Sequence, residues 1–169
     1  MTTVAIESIP QPANRVRQYW GDRPMGEVRV EVRLVSATDM SLAISGKLQA
    51  EKIRVYSANA MVDTGAVCTV VPQYVADQLG LPVVGHRIAT MADGTRTTVD
   101  VVAPLQIEIL GRSTFEEALV LGDEVLIGQT VLEKTDLLVD CANAQIVPNP
   151  AHPDQPVTKL KGIRAVTHL

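Results

Sequence analysis

Hydrophobic and polar residues alternate almost without error in EVRVEVRLV, residues 27–35, the pattern of a strand buried on one face. Similar β-like runs recur down the chain. SLAISG (41–46) has the outline of a second strand, and KIRVYSANAMVD (52–63) runs apolar into a turn. TVVPQYVADQLGLP (69–82) carries helix signals: Pro72 for the first turn, Val75 and Leu79 on one face, then Gly80 and Pro82 as stops. HRIATMADGTRTTVDVV (86–102) is two β-like runs around Asp93-Gly94, a strong hairpin signal. PLQIEILG and FEEALVLG add strands, and 125–148 reads as a buried strand ending at Gly128, a short helix and two closing strands. Many short strands separated by turns predict an all-β domain, closed or sandwich-like, with one or two short helices.

The pattern is confined to the middle of the chain. Residues 1–24 are polar, proline-containing and without period, so a flexible extension is expected there, with Met25 open as an alternative start. The domain is expected over 25–148 and a loose tail over 149–169. Within the domain, AMVDTG and EVLIGQ echo one another, each an apolar strand that ends at a glycine and leads into a helix. Two such units could pack about a local pseudo-twofold axis.

Composition narrows the function. With 169 residues the chain fits one domain with a sizeable core. Aromatic residues make up only 3%, so Val, Leu, Ile and Ala must build that core, a bias that favours sheet. The net charge of -4 and scattered basic residues do not suggest nucleic-acid binding. No signal peptide or membrane-spanning run is read, and two cysteines make no disulfide framework, so a cytoplasmic setting is expected. The three histidines, His86, His152 and His168, have neither metal-ligand nor triad spacing, so neither a metal nor another cofactor is expected. Cys68 and Cys141 read as small, buried thiols.

Asp63 is the anomaly. It stands with Thr64 and Gly65 inside the apolar run AMVDTGAVCTVV (60–71). An isolated ionised carboxylate in such a setting costs several kcal/mol or becomes protonated. It needs a partner, an edge position or a chemical task. A plain Asx turn at a strand end is the simplest alternative.

In VDTGA, the hairpin ATMADGTRTT and the late VLIG, the chain resembles the retropepsin-like aspartic proteases, single-lobe enzymes found in retroviruses and also in bacteria. The resemblance implies a closed, barrel-like acid-protease lobe with a flap hairpin, acting as a homodimeric endopeptidase on a peptide or protein substrate. It implies that Asp63, Thr64 and Gly65 form the catalytic turn, with two copies of Asp63 sharing a proton and activating water. Ala66, Val67, Ala92, Asp93, Gly94, Thr95, Ile127 and Gly128 are then expected to contact substrate or cover it. The chain departs from the retroviral pattern in holding Val67, Cys68 and Gln129 where those enzymes carry acidic residues and a partnering arginine. Two rival readings stand beside this one: a non-catalytic dimeric peptide-binding module of the same fold, and a nucleotide enzyme using D-x-G as a phosphate loop.

Overall fold

The computed structural model describes residues 26–158. The expected extension over 1–24 and residues 159–169 of the expected tail lie outside the described residues. The chain forms β1 (Val28–Ser36), α1 (Ala37–Ile44), a 3-10 turn (Ala50–Lys52), β2 (Val55–Asp63), β3 (Thr69–Val71), α2 (Gln73–Leu79), β4 (Val83–Thr90), β5 (Arg96–Ile109), β6 (Arg112–Val120), β7 (Leu126–Gly128), α3 (Gln129–Thr135), β8 (Leu137–Asp140) and β9 (Gln145–Pro148).

Hydrogen bonding runs in the order β1-β2-β7-β3-β6-β5, and β5 pairs back onto β1, so six strands close a barrel. β4 adds to the outside of β5, and β8 with β9 makes a separate hairpin. The alternation in 27–35 has the anticipated result: Val30, Val32 and Leu34 are buried, while Glu31 and Arg33 face out. Leu34, Leu105, Ile107, Ile109 and Ile127 fill the barrel centre together with Val71, Val75 and Leu79 from β3 and α2. Aliphatic side chains alone supply this core, as the low aromatic content requires.

β5 organises the barrel. The runs around Val101 and Leu105, expected as separate strands, are one strand of 14 residues with a shift in its pairing between Val102 and Leu105. Pro104 sits in that irregularity, where a residue without an N–H costs no ladder bond. Before it β5 pairs with β4, and after it with β1.

The SLAI of SLAISG ends α1 and Ser45-Gly46 turns out of it, contrary to the strand expected there. Ser36 caps the helix by accepting from the Asp39 amide at 3.4 Å. The apolar residues that mimicked a strand face are exposed, Ile44 at 85% and Leu42 at 38%, so no sheet face buries them. What holds α1 is polar. Asp39, 3% exposed, accepts from Arg54 Nε at 2.7 Å, from the other arm of that guanidinium at 2.6 Å and from the Arg54 amide at 3.0 Å.

The C-terminal segment expected to be loose is tied down as far as it is described. The Asp136 carboxylate accepts from Asn149 Nδ2 at 2.8 Å and the Val157 amide at 3.2 Å, and it lies 2.6 Å from His152 Nδ1. The Asn149 and His152 bonds, in that order of weight, hold its carboxyl below the usual range. Buried Arg112 donates to the carbonyls of Thr135, Asp136, His152 and Pro153, joining the end of α3 to this segment. A cation at a helix C-terminus is favoured by the carbonyl dipoles it meets.

The Asp39–Arg54 pair makes stability depend on pH in one direction. Hydrogen bonding from Arg54 holds the Asp39 carboxyl below its usual range against the opposing effect of burial. Its stabilisation is therefore complete above the unfolded value, about 4, and is lost as pH falls through the lower folded value. Asp39→Asn should cost about 2–3 kcal/mol at neutral pH. Urea unfolding at stepped pH should then show a smaller loss of stability below about pH 4 in the variant than in the parent. Equal losses would contradict this assignment.

Candidate active site

The site forms where β2 runs out. Asp63 is the last residue of β2, and its neighbour in parallel register on β7 is Gly128. The two echoing segments of the sequence are thus adjacent strands: Met61 lies beside Leu126 and Val62 beside Ile127. The β2 chain turns back at Thr64-Gly65, with the Ala66 amide donating to the Asp63 carbonyl at 3.2 Å. Asp63 Oδ1 accepts from the Gly65 amide at 2.8 Å, so the carboxylate is aimed by its own loop. Asp63 is half-buried and Thr64 exposed. The apolar run therefore delivers the carboxylate to the rim of the barrel and not into the core.

Gly128 is there because of space. A Cβ on it would lie 2.6 Å from the Cys68 carbonyl oxygen and 2.8 Å from that of Val67, closer than real contacts permit. The obstructing atoms are backbone, so no side chain can swing aside. The same contact lets the start of α3 serve the loop. The Gln129 amide donates to the Ala66 carbonyl at 2.8 Å, and the Thr130 amide and hydroxyl both donate to the Val67 carbonyl, at 3.3 and 2.8 Å. These helix-start donors have no partner within their own helix, and the loop supplies acceptors. The Gln129 side chain bonds Glu133 at 2.7 Å along its own helix, so backbone and hydroxyl donors grip the loop where the retroviral pattern would place an ion pair.

The hairpin predicted around Asp93-Gly94 joins β4 to β5 in the register Thr90 to Arg96. Its tip closes through Met91 N to Thr95 O at 2.8 Å and Gly94 N to Met91 O at 2.9 Å. Gly94 takes φ +82°, which a side chain would resist. Asp93 accepts from the Thr95 hydroxyl at 2.7 Å and amide at 2.9 Å, and these bonds hold its carboxyl below the usual range. Ala92, Asp93, Gly94 and Thr95 are all exposed.

The expected residues therefore divide into three places. Asp63, Thr64, Gly65, Ala66 and Val67 share one loop, with Val67 68% exposed. Residues 92–95 form a separate hairpin tip. Ile127, expected to contact substrate, is 0% exposed and packs in the core, and Gly128 is buried behind the loop. Both pack inward because β7 is a strand of the barrel wall, with the Ile127 side chain in the core and Gly128 against the loop backbone. Two residues escaped the sequence reading. One is Thr130, whose only signal was a hydroxyl two positions after the glycine. The other is Arg87 of β4, whose guanidinium lies 4.0 Å from Cys68 Sγ and pairs with Glu117, linking the flap strand to the loop. An open groove of about 1500 Å³ begins at Thr64 and passes Phe115, Leu138 and Val157, whose apolar side chains are 51%, 45% and 42% exposed.

Among the described residues no cluster of His, Cys, Asp or Glu is arranged to hold a metal, and no helix is long and apolar enough to cross a membrane. A closed β-barrel that presents an Asp-Thr-Gly turn backed by an apolar-apolar-Gly strand, with a separate hairpin between β4 and β5, is the arrangement of a retroviral-type aspartic protease. The family comparison agrees: residues 49–134 match the model described as "gag-polyprotein putative aspartyl protease", and the chain belongs to that family. The match contains the turn, the hairpin and the supporting strand. No curated protein matches the sequence. Among solved structures the chain is similar to the solution structure of Simian Foamy Virus (mac) protease, at 18% identity, over 62% of this chain and 90% of that one, with a TM-score of 0.40. At that score the likeness adds nothing to the fold already described.

Gly128→Ala measures how much the site depends on the close contact. It should lose about 1–3 kcal/mol in urea unfolding, the usual cost of overpacking. Gly85→Ala on β4 is the control, since a Cβ there meets nothing within 4 Å. Equal effects at the two positions would show that the contact carries no constraint.

Proposed function

We propose that the protein is an aspartic endopeptidase that works as a homodimer, with Asp63 from each of two chains forming one dyad. The observation that carries this is the position of Asp63. It is held at the barrel rim by a Gly65 amide, on an exposed turn, and the chain has no second Asp-Thr-Gly or Asp-Ser-Gly to complete a pair. A two-fold axis through the turn supplies the missing acid from a second copy. Exposed Thr64 and the groove it lines, mixed polar and apolar, give that copy a surface to cover.

The chemistry follows from placing two carboxylates about 3 Å apart, where both cannot ionise comfortably. One stays protonated and donates to the scissile carbonyl. The other, ionised, takes a proton from water as the water oxygen adds to the carbonyl carbon, giving a tetrahedral diol. The C–N bond then breaks as the nitrogen takes that proton from the second carboxyl. A diol hydroxyl returns a proton to the first, leaving the dyad with one shared proton. Gly65, lacking a side chain, leaves room for substrate backbone at the turn. The hairpin tip at 92–95 closes over the bound peptide and excludes water. Val67, mostly exposed, offers an apolar wall, so apolar substrate side chains are favoured beside the scissile bond.

A peptide library incubated with wild-type protein and with Asp63→Asn, followed by mass spectrometry, tests the reading. Wild type should cut and the variant should not, while sedimentation shows both as folded dimers. The amide keeps the shape but removes the base and the shared proton. Cleavage retained by Asp63→Asn contradicts the assignment. A wild type that binds the peptides without cutting them supports the peptide-binding module, and one that binds nucleotide supports the phosphate-loop reading.

A further inference from the structure

The catalytic turn is anchored at one end by β2 and at the other by β3, and what fixes residues 66–68 between them is less obvious. Val67 is exposed and half-buried Cys68 contributes only a 4.0 Å contact with Arg87, so neither side chain holds the loop. The backbone of this stretch does have partners, and they come from the first turn of α3. Ala66 O receives the Gln129 amide. Val67 O receives two donors from a single residue, the Thr130 amide and hydroxyl. The hydroxyl bond, at 2.8 Å, is shorter than the amide bond at 3.3 Å and spans 63 positions of sequence. Thr135, at the end of α3, bonds back to the Val131 carbonyl of its own helix at 2.6 Å, whereas Thr130, the second helical residue, has no helical carbonyl behind it. Thr130 reaches out of its helix instead.

We infer that Thr130 is a positioning residue: its hydroxyl fixes the Val67 carbonyl and thereby sets the far end of the turn that carries Asp63. Gly128 brings the backbones close enough for the bond, and Thr130 then locks the register between α3 and the loop. This assignment rests on the proposed protease function for its catalytic consequence, but not for its structural one. A loop four residues from the carboxylate that slips by a fraction of an ångström misplaces Asp63 against a partner acid and the substrate carbonyl, an error to which rate is sensitive.

The test uses Thr130→Val, which keeps the shape and loses the donor, and Thr130→Ser, which keeps the donor. Thr130→Ala removes the hydroxyl with better helix propensity, should the valine variant fold poorly. Amide hydrogen exchange is read at Gly65, Ala66, Gln129 and Thr130, and separately across β1, β5 and β6. Loss of the hydroxyl should speed exchange at those four amides roughly fivefold to tenfold while the barrel strands stay unchanged, with serine restoring the parent rates. On a peptide cut by the wild type, kcat should fall roughly tenfold with KM within about twofold, again with rescue by serine. Faster exchange spread evenly through the barrel, or unchanged exchange in the loop, overturns the inference. So does a slowed enzyme that serine fails to rescue. If the wild type cuts no peptide, the protease reading fails, and the exchange rates still decide the role of Thr130.

Discussion

The approach of Gly128 to the Val67 and Cys68 carbonyls is the constraint on which the rest of the site depends. It is a contact of backbone with backbone, and it exists only because one residue has no side chain. Through it β7 can lie parallel to β2 with Gly128 beside Asp63. Through it also, the unpaired donors at the start of α3 find the carbonyls of the turn. The loop that holds the carboxylate is thus built from two segments more than 60 residues apart.

The barrel around this contact is simple in composition and demanding in pairing. Aliphatic residues fill it, and β5 supplies continuity by changing partners at Pro104. Polar ties then hold what the small core cannot. Asp39 with Arg54 fastens α1 to the start of β2, and Arg112 with Asp136 fastens the C-terminal segment to α3. Because α3 also grips the turn, the Arg112 tie connects the end of the described chain to the helix that supports Asp63.

Much of this could be read from the sequence, for identifiable reasons. Strict alternation in 27–35 fixed β1, because a closed barrel buries one face of it. Asp93-Gly94 marked the hairpin, since the turn needs positive φ at the glycine. The Asp-Thr-Gly turn stood out because a carboxylate is costly in an apolar run. The failures have physical causes too. SLAISG alternates like a strand, yet its apolar residues are exposed, and the deciding features were a serine cap and an aspartate paired 15 positions away. Ile127 was expected at the substrate because it belongs to a recognisable segment, but proximity in a motif does not give exposure. Thr130 offered only a hydroxyl two positions after the glycine, because its importance lies in one long-range hydrogen bond. The tail after Pro148 looked loose because its anchors, Arg112 and Asp136, lie far back in the chain.

The central claim is that a single chain holds half of a catalytic site and borrows the other half from a second copy. Refolding wild-type chains together with an equal amount of Asp63→Asn chains tests it most directly. Random pairing leaves about a quarter of the dimers with two aspartates, and a carboxylate facing an amide cannot share its proton in the same way. The account predicts specific activity, per total chain, of about one quarter of the pure wild type, falling further on dilution as dimers dissociate. A value of about one half that does not change with concentration would show each chain acting alone and would contradict the shared site.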